Sequence, residues 1–252
     1  MQKQFCFFCA LPRSGSTLLS SLLNQTNQIK VSANSIVTNI IALLSDLKLE
    51  TSFKNFPYHK GIDNIAFNIL NLYYYNINTK VVLDKSPWGT EFNLQFLQWL
   101  FQDRKFILLT RPILECLASF IKAEKPNNVL ERCEQLMSKE GMIGKNLISI
   151  QNIINKKENY ILISYEDLIK NTKKEIDKIF NFLNLEHEEI NYNKIEQFNF
   201  DGVTYNDSVL FGDLHTIKTN AIEQTNYKID DYLPKEIIKK YEHINIRSTW
   251  IR

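Results

Sequence analysis

An excess of charge of either sign is missing from this 252-residue chain: 30 Lys+Arg against 28 Asp+Glu leave a formal net charge of +2. That balance argues against a nucleic-acid or membrane partner, which would call for a basic patch or a one-sided charge run. Charged ligands must therefore be met locally. No window approaches the ~18 apolar residues of a membrane span. The apolar run at the N-terminus has no charged n-region ahead of it, so the expected location is cytoplasmic. The 4 Cys supply no disulfide framework. Cys6 and Cys9 lie on one expected strand at an odd offset and face opposite sides of a sheet, which makes their C-x-x-C spacing a false lead. With 7 Gly and 6 Pro, no stretch reads as an interdomain linker, and the length suits one domain spanning residues 1–252.

What the chain does have stands at its start. Gln4-Phe5-Cys6-Phe7-Phe8-Cys9-Ala10-Leu11 runs directly into Pro12-Arg13-Ser14-Gly15-Ser16-Thr17-Leu18-Leu19, which reads as strand, phosphate loop and helix. Such a turn aims several backbone N–H groups and the positive end of a helix dipole at one point, where a phosphate or sulfate is held. Against the nucleotide-triphosphate loop G-x-x-x-x-G-K-[ST], Ala10 falls on the first Gly, Gly15 on the second and Ser16 on the Lys. The anion cradle is kept and the lysine for the β- and γ-phosphates is gone. Arg13, earlier in the loop, supplies the cation instead, which points to an anion arranged differently from Mg-ATP.

Short apolar or β-branched strands are expected at Gln4–Ala10, Ile29–Val31, Lys80–Leu83, Lys105–Thr110 and Tyr160–Ser164. Between them, helical periodicity marks Ser16–Asn24, Ser35–Leu47, Ile62–Tyr75, Thr90–Phe101, Ile113–Lys122, Val129–Asn155 and Leu168–Leu183. Asn171 and Thr172 with Glu175 resemble a capping box. This alternation predicts an α/β fold with a parallel central sheet flanked by helices. Residues Asn199–Thr225 keep no period and read as a long loop, the kind that serves as a lid over a ligand.

Two further strand ends carry cations. Lys80–Leu83 ends in Asp84-Lys85-Ser86-Pro87-Trp88-Gly89, where Lys85 either neutralises a leaving group or is a turn lysine paired with Asp84. Lys105–Thr110 ends in Arg111-Pro112, with Ser119 about two helical turns further on. Arg111 and Ser119 either grip a second phosphate at the carboxyl edge of the sheet, or form an ion pair and a packing contact. Tyr165, at the end of the fifth strand, either stacks on a base or covers the sheet edge.

In this order, Pro12–Leu19, Asp84–Pro87, Arg111-Pro112 with Ser119, and Ser164-Tyr165-Glu166-Asp167-Leu168 with Phe182-Leu183 resemble the sulfotransferase family, over residues 4 to about 185. The resemblance implies a P-loop-like three-layer fold and 3′-phosphoadenosine 5′-phosphosulfate (PAPS) as donor, leaving 3′-phosphoadenosine 5′-phosphate (PAP), without a metal. It implies that Pro12, Arg13, Ser14, Gly15, Ser16 and Thr17 form the 5′-phosphosulfate loop and that Arg111 and Ser119 hold the 3′-phosphate. Tyr165 would lie near the adenine, with His215 and Lys218 closing over the cofactor. Arg13 and Lys85 would stabilise charge during transfer to a small-molecule, carbohydrate or peptide acceptor. An arginine in the loop is the pattern of bacterial, carbohydrate and tyrosylprotein members. The chain departs from the family at the catalytic base. Pro87 stands where aryl-type enzymes place a His, and Asn34-Ser35 where tyrosylprotein-type enzymes place a Glu. Asp46, Glu50, His59, Asp84 and His215 are the remaining candidates, none assigned. The competing readings are a P-loop kinase or nucleotidase and a non-catalytic nucleotide-binding module.

Overall fold

A computed structural model of the chain describes residues 3–32, 34–197, 199–204, 217, 222 and 225–244. The elements run β1 (Gln4–Ala10), α1 (Ser16–Leu23), β2 (Ile29–Val31), α2 (Val37–Asp46), α3 (Thr51–Asn55), α4 (His59–Tyr73), β3 (Val81–Lys85) and α5 (Glu91–Leu100). They continue with β4 (Lys105–Thr110), α6 (Ile113–Glu124), α7 (Val129–Met137), α8 (Met142–Asn155), β5 (Asn159–Ser164), α9 (Tyr165–Lys170) and α10 (Thr172–Leu183). A short hairpin of β6 (Asn199–Phe200) and β7 (Val203–Thr204) and a final helix α11 (Lys235–Tyr241) complete the described elements.

β1 to β5 form one five-stranded sheet in the order β2-β3-β1-β4-β5, with every pairing parallel. Parallel pairing forces helical crossovers onto both faces and buries the strands on both sides. Alternate residues of β1 divide accordingly. Phe5, Phe7 and Cys9 join the core beneath α2, α5, α6 and α8, while Cys6, Phe8 and Ala10 join the core beneath α1 and α10. The two cysteines thus sit on opposite faces, as their offset requires. Both are free, and burial pushes the Cys9 thiol up to about 11. The predicted three-layer α/β fold is the one observed.

This strand order fixes the site. β1 lies between β3 and β4, and the chain leaves β1 first to one side and later to the other, so the switch in strand order falls at its carboxyl end, where open α/β sheets take their ligands. Phe8 is in register with Lys85, Ala10 with Leu109, and Thr110 with Ser164. The phosphate loop, Lys85, Arg111 and Tyr165 therefore emerge along one edge.

Several expected elements are corrected. The helix expected over Val129–Asn155 is two helices, α7 and α8, broken at residues 138–141. A Cβ on Gly141 would lie within 2.1 Å of the Gln135 carbonyl oxygen, so the bare glycine allows the chain to turn back over α7. The helix expected over Leu168–Leu183 is likewise split, into α9 and α10. Asn171 makes no side-chain cap bond, and the Thr172 hydroxyl donates instead to the Leu168 carbonyl at 2.7 Å, so no capping box forms. Residues 199–204, read as part of a loop, form the hairpin. His215 and Lys218 lie outside the described residues. No helix among the described residues is long and apolar enough to cross a membrane.

Candidate active site

The loop between β1 and α1 is shaped by two left-handed residues, Arg13 at φ 64° and Gly15 at φ 86°. Positive φ at two positions curls the backbone so that successive N–H groups face inward. Ser14, fully buried, braces the turn. Its hydroxyl donates to the Leu11 carbonyl at 2.5 Å and its N–H to the same oxygen at 3.3 Å. The N–H groups of Gly15, Ser16 and Thr17 have no backbone acceptor among the described residues and stand at the positive end of α1. Gly15 is needed for space as well as for φ, because a Cβ there would stand 3.1 Å from the Tyr165 ring. Gly15→Ala is therefore expected to lower stability by about 1–2 kcal/mol, the cost of a left-handed alanine. It should also open the loop, so urea melts with and without PAP should show both the loss and a weakened ligand response.

Lys85 ends β3 beside this loop. Its carboxylate neighbour does not pair with it. Asp84 is fully buried and accepts from Ser35 Oγ at 2.7 Å, Tyr74 OH at 2.5 Å and Trp88 Nε1 at 2.7 Å. Burial raises the Asp84 pKa above the usual carboxylate value, and those three donors oppose the shift. Asp84 thus anchors the turn after β3 and is not placed to take a proton. The half-buried Lys85 is pushed down to about 8 by desolvation, and no described side chain neutralises it. Arg13, Ser16 and Lys85 line one cavity of about 210 Å³ with Asn34, Ser86 and Pro87.

Arg111 and Ser119 are drawn into the same network. Arg13 Nε donates to Ser119 Oγ at 3.0 Å, and the Tyr227 hydroxyl lies 3.1 Å from that oxygen. Arg111 is only 5% exposed, and it does form an ion pair, with Glu115. Its Nε donates to Glu115 at 2.8 Å, Nη1 to the Arg13 carbonyl at 2.9 Å and Nη2 to the Thr225 carbonyl at 2.7 Å. Its guanidinium stacks 4.0 Å over the Tyr165 ring and 5.3 Å from that of Tyr227. The Tyr165 hydroxyl accepts from the Thr225 N–H at 3.1 Å.

A larger cavity of about 570 Å³ continues from the first, sharing Asn34, Lys85, Ser86 and Pro87. The described base candidates do not line either cavity: Asp46, Glu50 and His59 are exposed on the α2 to α4 layer, and Asp84 is buried. Two carboxylates absent from the sequence reading do line the larger one, Glu91 and Glu140. Lys156 donates to Glu91 at 2.8 Å and holds its carboxyl below the usual range. Glu140 stands in the break between α7 and α8, a break that Gly141 and Gly144 could have signalled.

The sequence matches the family model described as "Sulfotransferase family" over residues 6–189. No curated protein matches it. Among solved structures, it is similar to the sulfotransferase domain from the curacin biosynthetic pathway, at 19% identity and TM-score 0.59, covering 96% of this chain and 98% of that one. The sulfotransferase domain of the Synechococcus PCC 7002 olefin synthase is also 19% identical, with TM-score 0.58 and coverage of 99% and 92%. A mouse sulfotransferase complexed with PAP is 12% identical, with TM-score 0.56 and coverage of 95% and 81%.

Proposed function

This chain belongs to the sulfotransferase family, and we propose that the sulfuryl group it transfers comes from PAPS and passes in line to a hydroxyl or amine acceptor. The observation that carries the proposal is the cavity in which Arg13, Ser16 and an unneutralised Lys85 meet at the mouth of the phosphate loop. Two cations and inward-facing N–H groups form a cradle for a group with several anionic oxygens. The donor supplies an activated sulfur whose bond to the bridging oxygen breaks as the acceptor oxygen or nitrogen bonds to it and gives up its proton. Negative charge then grows on the 5′-phosphate that leaves. In this reading Lys85 and Arg13 stabilise that charge, and the N–H groups of Gly15, Ser16 and Thr17 hold the phosphosulfate between Pro12 and α1.

Arg111 and Ser119 are assigned to the 3′-phosphate, with Tyr165 beside the adenine. Arg111 Nη2 now donates to the Thr225 carbonyl. That acceptor is neutral, and a phosphate oxygen competes for the same donor with a charge-assisted bond of about twice the strength. Residues His215 and Lys218 are assigned to closure over the cofactor. A kinase or nucleotidase reading is disfavoured by Ser16 in the lysine position.

Thermal unfolding with PAP or with Mg-ATP tests the donor. Ligand at one hundred times its dissociation constant stabilises by about 2.7 kcal/mol, so PAP is expected to raise Tm and Mg-ATP to leave it unchanged. The reverse order would replace this proposal with a nucleoside-triphosphate enzyme. Consumption of PAPS in the presence of an acceptor then separates an enzyme from a binding module.

A further inference from the structure

Beyond Lys85 the larger cavity is walled by amides and hydroxyls, among them Asn34, Thr38, Asn39, Thr90, Asn93 and Asn152, with Lys139 and Lys145 at its side. The amide and hydroxyl ends offer a hydroxylated group many hydrogen-bonding positions, while Ala42, Pro87, Phe92 and Ile148 supply apolar contact for the carbon face of that group. Phe92 lines this cavity and a second one of about 290 Å³ whose walls are mainly apolar, with Ile41, Leu44, Ile62, Ala66, Phe96 and Trp99 beside Ser45 and Gln95.

The change of character follows the helices. On α2, Thr38, Asn39 and Ala42 face the polar cavity and Ile41, Leu44 and Ser45 the groove. On α5, Glu91 and Asn93 face the cavity and Gln95, Phe96 and Trp99 the groove. Mostly polar lining gives way to mostly apolar lining within about one helical turn, roughly 5 Å. Trp99 is 51% exposed and is set between Phe67 and Phe96 with ring centroids 5.9 Å away in each case. The far end of the groove closes with the Lys48–Asp63 ion pair at 3.2 Å. Of the exposed large hydrophobic side chains among the described residues, Phe92 and Trp99 line the groove itself, and an apolar groove left open to solvent marks a binding site.

Resting on the sulfotransferase reading above, we propose that the acceptor is amphipathic. Its hydroxylated head fills the polar cavity beside Lys85, and an alkyl or acyl chain attached to that head passes Phe92 into the groove between α2, α4 and α5. One molecule spans both cavities, because they share Phe92 and the reacting hydroxyl must stay at Lys85.

Methyl, butyl and octyl β-D-glucosides, used below micelle-forming concentration, test this by calorimetry and by the fluorescence of the groove tryptophan. Each buried methylene is worth about a fourfold gain in affinity, so octyl is expected to bind on the order of 10²-fold tighter than butyl. Filling the groove from either wall, with Ala66→Phe or Leu44→Trp, should flatten the series while PAP still raises Tm. A flat series in the wild-type protein, or no saturation by octyl glucoside, would overturn the proposal. So would a steep series that survives both variants, since the chain would then lie elsewhere. Failure of PAP to bind would instead count against the donor assignment, and the glucoside series can be read without PAP.

Discussion

Lys85→Met is expected to lower kcat by about 10²–10³, the usual loss when one charge-stabilising donor is removed from a transfer site. Methionine keeps the length and apolar stem of the side chain and deletes only the ammonium, so the fold should persist. The stronger signature is in pH. Burial holds the Lys85 pKa near 8 in place of the usual 10.5, and an anionic ligand favours the charged form. PAP affinity should therefore fall as pH rises through about 8, with proton uptake on binding in that range. PAP phosphates, with second pKa values near 6, are already ionised there and contribute no slope. For the ligand-free protein the sign reverses. Between pH 8 and 10.5 the unfolded chain binds the proton that the folded chain has released, so stability rises with pH across that window. Calorimetry in two buffers of different ionisation heat, and melts from pH 7 to 10, should show both slopes in the wild type and neither in Lys85→Met. Equal PAP affinity at pH 7 and 9.5 in the wild type would remove Lys85 from the donor site.

Legibility in the sequence followed how local each determinant was. β1, β2 and β4 were readable to the residue because each is a short apolar or β-branched run bounded by a turn. Arg13 and Lys85 could be placed together for a topological reason: neighbouring parallel strands end on the same edge, and Phe8 pairs with Lys85. Apolar periodicity carries through Met137 and Ile143 and masks the break between α7 and α8, whose local signal is Gly141, where only a bare glycine permits the backbone approach. That Glu91 and Glu140 line one cavity depends on contacts between residues distant in sequence, such as Lys156 with Glu91, which no local pattern encodes. The partner of Arg13 was equally unreadable. Its contact with Ser119 depends on a left-handed φ in the loop and on a helix 106 residues away in sequence. The same holds for Asp84, whose three donors come from the β3 turn, the loop before α2 and the end of α4.

Arg111→Lys should abolish discrimination between PAP and 5′-AMP while keeping the positive charge. Arginine at this position works as a fork: Nε holds Glu115 in the first turn of α6, Nη1 holds the carbonyl of Arg13 in the phosphate loop, and Nη2 holds the carbonyl of Thr225. Its flat face also covers Tyr165 at 4.0 Å, the ring against which Gly15 packs. A lysine ammonium has three donors about one point and no planar face, so it cannot span these acceptors or keep the stack. Two effects follow from one substitution. The phosphate loop loses a tie to α6, which should cost about 1–3 kcal/mol of stability, the range for a buried acceptor left unpaired. The proposed 3′-phosphate loses the Nη2 donor that the other two bonds of the fork hold in place, and a mobile point charge recovers little of that specificity. Calorimetric titration should therefore show PAP affinity falling by on the order of 10², about 2.7 kcal/mol, with 5′-AMP affinity changed far less. Arg13 and Ser119 remain in contact in this variant, so residual binding should still depend on Ser119, and Ser119→Ala added to Arg111→Lys should weaken PAP further. A variant that still prefers PAP by the wild-type ratio would show that Arg111 only ties the phosphate loop to α6 and that the 3′-phosphate is held elsewhere.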